Sequence, residues 1–510
     1  MKLTTILAYG FVLLISGFLL FYNLDDRLLW GDEAETALLA VNITKTGLPK
    51  VTDGKNEITL YGMGIDSNAD HIWTHRPFLD QYVTAVSFLA FGKNTFAARF
   101  PFALMGILTI AFLAAAAYRI YKDHRLALMT ALLLGTNVVF LLHARQCRYY
   151  AIIMFLQVGL WCGYHQMVNR RAVSGSILIS AALVGQFYCN YIVVVGNIIG
   201  IMLASAILMR KRPFILYQLA VSMFIFAICA APWLMYAQPF NQASALGLKH
   251  FWENMYEYIS IVHFYSVPLV IFLIPLLKFV KAKAARQSDG FQLFAQESEL
   301  LVWVLIPCTL LFLCCVSLRF MRYISPLLPL LALITASILT YHVSRKSIRY
   351  ILFIVLCFSN VISVLTVGNL NPDKLLRVPI VEFVQEITQN YQDRLSDVVS
   401  YLKQNGKTEQ SVLVSDPEFP LIFYTDMRII DFRLAGRDRL RELPDWILST
   451  SASGIVKMPQ LGLQANSGSR FETIYLRVHD SKRGGSIPDP RARESFTSDR
   501  FTEMKIYKKK

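Results

Sequence analysis

Charged residues are scarce in this chain: 17% of its 510 residues are Asp, Glu, Lys or Arg, whereas 55% are hydrophobic. Soluble domains carry about 25% charged residues, so the composition excludes an ordinary soluble enzyme and predicts a membrane protein. The scarcity is uneven, because the residues after about 370 have the polarity of a soluble domain. Before them, apolar runs of roughly 17–25 residues, long enough to cross a hydrocarbon core, alternate with short polar loops.

Cysteine is also scarce, and acidic residues are outnumbered by basic ones. The eight cysteines are scattered, mostly inside apolar runs, without CxxC or metal-ligand spacing. They therefore indicate neither a disulfide framework nor a zinc site, and small apolar roles are favoured. The net charge is +15, but the surplus lies in short loops between apolar runs, as the positive-inside rule expects. We therefore expect membrane lipids, and no nucleic acid, as partners.

The uncharged runs predict about eleven membrane spans. They are residues 4–22, 100–118, 126–142, 149–168, 174–190, 191–209, 213–237, 263–277, 300–318, 323–341 and 350–368. Segment 77–92 has only about 14 apolar-leaning residues and contains Asp80, so we predict an interfacial or re-entrant helix there. With this assignment every dense basic loop lies in the cytoplasm together with Lys2, and the C-terminal region lies outside.

The predicted fold is a polytopic α-helical membrane protein with a small C-terminal α/β domain. Residues 1–369 form the membrane domain, with 23–99 as its first extracytoplasmic loop and interfacial helices within that loop. Residues 370–510 form the extracytoplasmic α/β domain. Strands are predicted at 411–416, 427–433, 444–450, 470–478 and 501–510, with a short helix or turn at 417–426. The last strand ends in lysines, which is typical of a sheet edge.

The stretch RLLWGDEAETALLAVNITKTGLPK follows the first apolar run and contains two adjacent carboxylates, Asp32 and Glu33. Apolar residues at helical spacing follow, and Gly47 predicts the end of that helix. Asp32 and Glu35 have capping-box spacing, so one interpretation is that Asp32 only caps the helix. The other is that Asp32 is a general base with Glu33 beside it, because a helix N-terminus favours an ionised carboxylate.

Several basic residues recur on the predicted outer side of the membrane, at the start of segment 77–92 and at the ends of two spans. They are His75, Arg76, Arg145, Arg148, Arg319 and Arg322. One interpretation is structural, as snorkelling anchors or caps of helix C-termini. The other is recognition of a lipid phosphate, which a guanidinium matches in shape and charge.

A carboxylate pair and several arginines on one membrane face predict an enzyme with a lipid-linked phosphate substrate. The arginines would bind the phosphate and stabilise its charge as it leaves, while the carboxylate would take a proton from a hydroxyl or amine acceptor. The spans themselves carry almost no charge, which argues against an ion-coupled transporter.

The order of four segments resembles that in polyprenyl-phosphate-sugar glycosyltransferases of the GT-C type. The segments are WGDEAETALLA, HRPFLDQYVTAVSFLAFGKNTFAARFPFALMGIL, ARQCRYYAIIMF and RFMRYISPLLPLL. The resemblance is to the bacterial branch related to protein O-mannosyltransferases and lipid A aminoarabinose transferases, and it covers most of the chain. It implies Asp32 as catalytic base with Glu33 beside it. The family's His-Lys-Pro-Pro element corresponds to His75-Arg76-Pro77-Phe78, where Phe78 departs from the pattern. Two membrane-parallel helices in the first loop, an inverting reaction and no obligatory metal are also implied.

These observations predict an integral glycosyltransferase of a bacterial inner membrane that transfers a hexosyl or pentosyl unit from a polyprenyl-phosphate donor. The acceptor would be lipid A, a surface glycan or a protein. The predicted catalytic residues are Asp32 and Glu33, and the predicted phosphate-binding residues are His75, Arg76, Arg145, Arg148 and Arg322. The alternatives are a lipid-linked sugar flippase or transporter and a non-catalytic assembly subunit.

Overall fold

The structure is a computed structural model. It describes residues 3–61, 65–238, 247–284, 294–317, 320–367, 376–389, 392–415, 418–432, 443–450, 470–479 and 501–510. Arg319 and the predicted domain boundary at 369/370 lie outside these residues. The chain forms two compact units, the first from Met1–Tyr22 and Phe102–Ile387 and the second from Asn23–Pro101 and Thr388–Lys510.

The first unit is helical throughout its described part. Its helices are α1 (Leu3–Phe21), the greater part of α4 (Thr95–Tyr121), α5 (His124–Gly135), α6 (Val138–Ala144), α7 (Tyr150–Val168), α8 (Ala172–Phe187), α9 (Tyr191–Leu208), α10 (Phe214–Ala237), α11 (Phe251–Tyr265), α12 (Leu273–Ala284), α13 (Glu299–Cys314), α14 (Leu328–Ser337), α15 (Lys346–Phe358), α16 (Val361–Val367) and α17 (Pro379–Thr388). A 3-10 helix, Met321–Leu327, precedes α14, and a π-helical turn, Ile338–His342, follows it.

Six helices within the described residues are long and apolar enough to cross a membrane, or eight if two bent pairs each count as one span. The six are α1, α4, α7, α9, α10 and the continuous segment Met321–His342. The chain is thus a multi-pass helical membrane protein. Each predicted span overlaps a helix or a pair of helices, although the predicted number of about eleven crossings stays a prediction.

Two helix pairs of the first unit are sharply bent at short breaks, and polar side chains satisfy the backbone at the breaks. The axes of α5 and α6 meet at 65°, and α11 meets the helix after it at 89°. Asn137 caps α6, and its Nδ2 donates to Ser266 Oγ at 3.3 Å, which joins the two breaks. His263 Nδ1 accepts from the Leu269 amide, so its Nε2 donates to the Ser363 carbonyl at 3.1 Å. Non-helical backbone at membrane depth requires such partners.

Close packing in the first unit combines small residues with a buried amide cluster. An added Cβ at Gly200 of α9 would lie 3.1 Å from Leu305 Cα of α13, so these helices approach as small-residue membrane interfaces do. Gln157, Gln186 and Asn197 are fully buried on α7, α8 and α9, and their amides bond one another at 2.7–3.2 Å. We call these three residues the amide cluster; it ties three spans together.

The second unit begins with α2 (Gly31–Thr46), and its N-terminus differs from the prediction. Trp30 is the N-cap, and Glu33 Oε2 accepts a hydrogen bond from the Trp30 amide at 3.3 Å. The interpretation that Asp32 caps the helix together with Glu35 is wrong, because the N-cap lies two residues earlier, at Trp30. Gly47 ends it with a φ of +76°, the left-handed conformation that glycine adopts at helix ends.

Segment 77–92 forms α3 (Leu79–Phe91), which packs against α2. Its 13 residues rise by about 20 Å, less than the roughly 30 Å of a bilayer core. Its length therefore agrees with the prediction that this segment does not span the membrane.

The C-terminal part of this unit is a small α/β domain, as predicted. Helices α18 (Arg394–Asn405) and α19 (Phe419–Thr425) accompany β1 (Ser411–Val414), β2 (Arg428–Asp431), β3 (Trp446–Leu448), β4 (Phe471–His479) and β5 (Phe501–Lys509). The sheet order is β2-β1-β3-β5-β4, with β1 parallel to β2 and β3 and with β5 antiparallel to β3 and β4. Buried residues of α18 and the sheet, among them Val398, Leu402 and Trp446, form its core.

The predicted edge position of the last strand is wrong. β5 lies between β3 and β4, while β2 and β4 form the two edges. The lysines mislead because they stay accessible, as Lys505 does, while Met504 and Ile506 on either side of Lys505 are buried in the core. Alternation of this kind suits an interior strand with one covered face as well as an edge strand.

The first loop and the C-terminal segment belong to the same unit and are bonded to each other. Asn56 is buried: its Nδ2 donates to the Met427 carbonyl at 3.1 Å, and its Oδ1 accepts from the Ile429 amide at 2.8 Å. Lys93 pairs with Asp426 at 2.7 Å. The loop thus extends the β2 end of the sheet domain.

Candidate functional site

The three carboxylates of α2 have different surroundings. Glu33 and Glu35 are buried, with 0% and 2% of their surface exposed, whereas Asp32 between Gly31 and Glu33 is partly exposed. Since a group that takes a proton from a substrate must be reachable, this difference separates the two predicted catalytic residues, Asp32 and Glu33.

Glu33 forms a two-pronged ion pair with Arg99. Arg99 Nε donates to Glu33 Oε1 at 2.9 Å, and Arg99 Nη2 donates to Oε2 at 2.7 Å. The same guanidinium donates to the carbonyls of Leu24, Arg27 and Leu28. Glu33 therefore joins the start of α2, the start of α4 and the segment after Tyr22, which is a structural function; the predicted catalytic role of Glu33 stays a prediction.

Arg76 bridges α2 and α3. Its Nε donates to Glu35 Oε1 at 3.0 Å and its Nη1 donates to both oxygens of Asp80 at 2.8 Å. Its Nη2 donates to Thr36 Oγ1, which in turn donates to the carbonyl of Asp32 at 3.1 Å. Arg76 thus fixes the backbone that carries Asp32, and its guanidinium is engaged by two carboxylates. Its predicted phosphate-binding role stays a prediction.

His75 lies in the folded part of the first loop that precedes α3. Its Nδ1 is 3.5 Å from Oδ1 of the fully buried Asp66. Asp66 Oδ2 accepts from Thr59 Oγ1 and from the amides of Leu60 and Tyr61 at 2.6–2.7 Å. Asp66 organises this loop through the hydrogen bonds to its Oδ2, and the predicted contact of His75 with phosphate stays a prediction.

Tyr424 of α19 connects the sheet domain to the segments on either side of α2 and α3. Its hydroxyl accepts from the Leu29 amide at 2.8 Å and bonds Thr95 Oγ1 at 2.7 Å. Burial raises the pKa of Tyr424 to about 12, against the opposing effects of the Thr95 hydrogen bond and the Arg99 charge. A neutral hydroxyl thus links α19 to the backbone before α2 and to the start of α4.

Two of the predicted arginines of the first unit lie in segments that pack against each other. The 3-10 helix that carries Arg322 packs against α7, which begins directly after Tyr149. The Arg148 guanidinium carbon lies 5.7 Å from the Tyr149 ring centre, and that of Arg322 lies 3.8 Å from the Phe320 ring centre. Asn190 Nδ2 donates to the Tyr149 hydroxyl at 2.7 Å. We call Arg148, Tyr149 and Arg322 the arginine–tyrosine cluster.

Arg145 has a different environment from Arg148. Its Nη1 and Nη2 donate to the carbonyls of Leu19 and Tyr22 at 2.8 Å, where α1 ends. Its guanidinium carbon also lies 5.9 Å from the Phe383 ring centre. These contacts satisfy the free carbonyls of a helix C-terminus, although the helix is α1 and not the span that Arg145 follows.

Sequence reasoning missed Arg99, Asp80 and Tyr149 as parts of these arrangements. Asp80 follows Arg76 by four residues, a spacing that pairs side chains on a helix. The Arg76–Asp80 ion pair could therefore have been predicted from the sequence. The pairing of Glu33 with Arg99 spans 66 positions and has no local signal. Among the described residues, His, Cys, Asp and Glu do not gather into a group of three or more that suits a metal ion.

Comparison with solved structures shows what the fold is similar to. ArnT from Cupriavidus metallidurans in the apo state superposes with a TM-score of 0.59 at 13% identity, over 98% of this chain and 97% of that chain. ArnT bound to undecaprenyl phosphate superposes with a TM-score of 0.55 at 17% identity, over 84% and 85%. No family model and no curated protein sequence matches the chain.

The chain has the fold of ArnT. This similarity confirms the predicted fold class, a polytopic α-helical membrane protein with a small C-terminal α/β domain. The similarity to ArnT extends along nearly the whole chain, including the first loop and the C-terminal segment. At this level of identity, the similarity to ArnT concerns the fold.

Proposed function

We propose that this protein is an integral-membrane glycosyltransferase that moves a sugar from a polyprenyl phosphate to an acceptor on the extracytoplasmic side of a bacterial inner membrane. The ArnT fold supports a lipid-linked donor, since one of the similar structures holds undecaprenyl phosphate. The proposed acceptor class is a hydroxyl or amine of lipid A, a surface glycan or a protein.

The observation that carries the proposal is the contrast among the carboxylates at the start of α2. Glu33 and Glu35 are buried in ion pairs with Arg99 and Arg76, while Asp32 stays partly exposed at the same helix N-terminus. We assign the general base to Asp32. The ion pairs of Glu33 and Glu35, directly after Asp32 in α2, hold the backbone that carries it, and the helix N-terminus favours the negative charge that a base requires.

In the proposed reaction, Asp32 takes the proton of the acceptor hydroxyl or amine as its oxygen or nitrogen attacks the anomeric carbon of the sugar. The bond between that carbon and the phosphate oxygen breaks, and the polyprenyl phosphate leaves with the electron pair. A single displacement of this kind inverts the anomeric configuration.

We assign phosphate binding to Arg148 and Arg322 of the arginine–tyrosine cluster. Both are arginines, whose planar donors match phosphate oxygens, and the segments that carry them pack against each other. Stabilising the charge of a leaving phosphate is the expected role of such cations. Arg145 and Arg76 are engaged by backbone carbonyls and carboxylates, so we expect them to contribute through structure.

The test is sugar transfer by the purified protein in lipid nanodiscs. Undecaprenyl-phosphate aminoarabinose and undecaprenyl-phosphate mannose serve as donors, and lipid A or an extract of surface glycans serves as acceptor. Transfer that depends on a polyprenyl-phosphate donor supports the proposal. Movement of the donor between leaflets without formation of a glycosidic bond contradicts it and supports a flippase.

A further inference from the structure

Gln146 lies in the turn between α6 and α7, two residues before Arg148. The Arg148 amide donates to the Gln146 carbonyl at 2.7 Å, which closes this turn. Both side chains are 5% exposed. Helices α6 and α7 also pack against the 3-10 helix that carries Arg322, so Gln146 belongs to the backbone that holds the arginine–tyrosine cluster.

The amide of Gln146 is buried without a hydrogen-bond partner among the described residues. Neither its Oε1 nor its Nε2 has one. Exchanging the two atoms does not help, because both positions lack a partner. Burying an amide without compensation is costly, and buried polar groups in proteins are nearly always bonded. A side chain in this state points to a partner from outside the protein.

The chemistry of an amide defines that partner further. Gln offers two N–H donors and a carbonyl acceptor, whereas an ionised phosphate offers acceptors only. A phosphate therefore leaves Oε1 without a bond, while a hydroxyl, which both donates and accepts, can satisfy both ends. Arginines, which only donate, suit the phosphate; Gln146 suits a sugar hydroxyl.

We propose that Gln146 binds a hydroxyl of the donor sugar, next to the arginines that bind the donor phosphate. This inference rests on the proposed function, because it requires a sugar-phosphate lipid as ligand. It adds a residue that distinguishes the glycosylated donor from the spent polyprenyl phosphate, and so favours release of the product lipid.

The amide cluster supplies a matched control. Gln157 is also a buried glutamine of the first unit, but its amide bonds Gln186 and Asn197. Replacing an amide that is hydrogen-bonded leaves its partners without a hydrogen bond. Replacing an amide that has no partner removes a desolvated polar group and leaves no other group unsatisfied. We expect Gln146→Met to leave the thermal unfolding midpoint unchanged or raised. Gln157→Met is expected to lower it by about 2–4 °C or more.

The deciding experiment measures binding of undecaprenyl phosphate, undecaprenyl-phosphate mannose and undecaprenyl-phosphate aminoarabinose to the full-length protein in nanodiscs. Wild type is expected to bind at least one glycosylated lipid more tightly than undecaprenyl phosphate. Gln146→Met is expected to lose about tenfold in affinity for that lipid while its affinity for undecaprenyl phosphate stays within about twofold of wild type. Gln146→Leu is the second variant if Gln146→Met does not fold.

Failure of the inference and failure of the proposed function give different results. The role of Gln146 is overturned if wild type binds all three lipids equally. It is also overturned if Gln146→Met binds the glycosylated lipids as tightly as wild type does. A fall in the unfolding midpoint of Gln146→Met equal to that of Gln157→Met also overturns it, because the amide is then a structural one. If wild type binds none of the lipids, the proposed function itself fails.

Discussion

Glu33 and Arg99 form a buried ion pair with two hydrogen bonds, Nε to Oε1 at 2.9 Å and Nη2 to Oε2 at 2.7 Å. The pair joins the helix that carries Asp32 to the start of α4. Beside it, Arg76 joins α2 to α3 through Glu35 and Asp80. The second unit thus fixes α2 from two directions by charges that are buried and paired.

Removing one partner of the Glu33–Arg99 pair is expected to destabilise the protein strongly. Breaking a buried pair leaves an uncompensated charge and costs about 3–5 kcal/mol. Glu33→Gln and Arg99→Ala should therefore both lower the midpoint of thermal unfolding in detergent. The matched control is Asp32→Asn, on the same turn but partly exposed, which should change the midpoint little. A stable but inactive Glu33→Gln protein contradicts the structural role of Glu33.

Arg148 and Arg322 are expected to determine affinity for the donor phosphate. Charge-assisted hydrogen bonds are worth about 1.5–3 kcal/mol, so Arg148→Gln or Arg322→Gln should weaken undecaprenyl-phosphate binding by about 10–100-fold. Titration of the lipid into nanodisc-embedded protein measures this.

Arg145 is the control for these two arginines, because it lies in the same turn as Arg148 but bonds the carbonyls of Leu19 and Tyr22. Arg145→Gln should lower the unfolding midpoint and leave lipid affinity within about twofold. The opposite outcome, full stability with lost affinity, would assign Arg145 to the phosphate as the sequence predicted.

Tyr424 is expected to make the stability of the second unit fall at high pH. Its pKa is raised to about 12 by burial, above the ordinary value of about 10. Between these values the unfolded chain loses the phenol proton while the folded one keeps it. The contribution of Tyr424 to the free energy of unfolding is therefore complete below pH 10. It falls by about 3 kcal/mol as the pH rises from 10 towards 12.

Comparison with Tyr424→Phe isolates this effect from other groups that titrate in the same range. At pH 8 the variant should be less stable by about 1–3 kcal/mol, because the Leu29 amide loses its acceptor. The difference between the two proteins should shrink as pH rises above 10. A difference that stays constant up to pH 11 contradicts the account of Tyr424.

The contact of Asn56 with Met427 and Ile429 predicts that the first loop and the C-terminal segment fold together. Asn56→Ala removes two buried hydrogen bonds and leaves their backbone partners unsatisfied, at about 1–3 kcal/mol for each group. Limited proteolysis should then cleave both the first loop and the C-terminal segment faster. Gln404→Ala, a change at an exposed position of α18 in the same unit, is the control. Faster cleavage of the loop alone would contradict coupled folding.

Sequence patterns predicted those parts of the fold that depend on local composition. Apolar runs located the helices of the first unit, Gly47 located the end of α2, and short segments of strand-forming residues located all five strands. The sheet order was beyond reach, since β5 and an edge strand share the same alternation. The bonds of Asn56 to Met427 and Ile429 were also beyond reach because they join positions more than 370 residues apart.

The residue types of the candidate site could be predicted from the sequence, but not which of these residues form structural ion pairs and caps and which are accessible for chemistry. Asp32, Glu33 and Glu35 look equivalent in the sequence, and the structure separates them through Arg99 and Arg76. Arg145 and Arg148 are equally similar in the sequence, and contact with the end of α1 separates them. In both cases the distinction depends on long-range partners that a single sequence does not reveal.

The central claim is that Asp32 is the general base of a sugar transfer. The most direct measurement is the transfer rate of Asp32→Asn in nanodiscs with saturating glycosylated donor and acceptor, alongside its unfolding midpoint and its affinity for undecaprenyl phosphate. The account predicts a fall in rate of at least about 100-fold with midpoint and affinity unchanged. An Asp32→Asn protein that folds, binds the lipid and transfers sugar at the wild-type rate would contradict it.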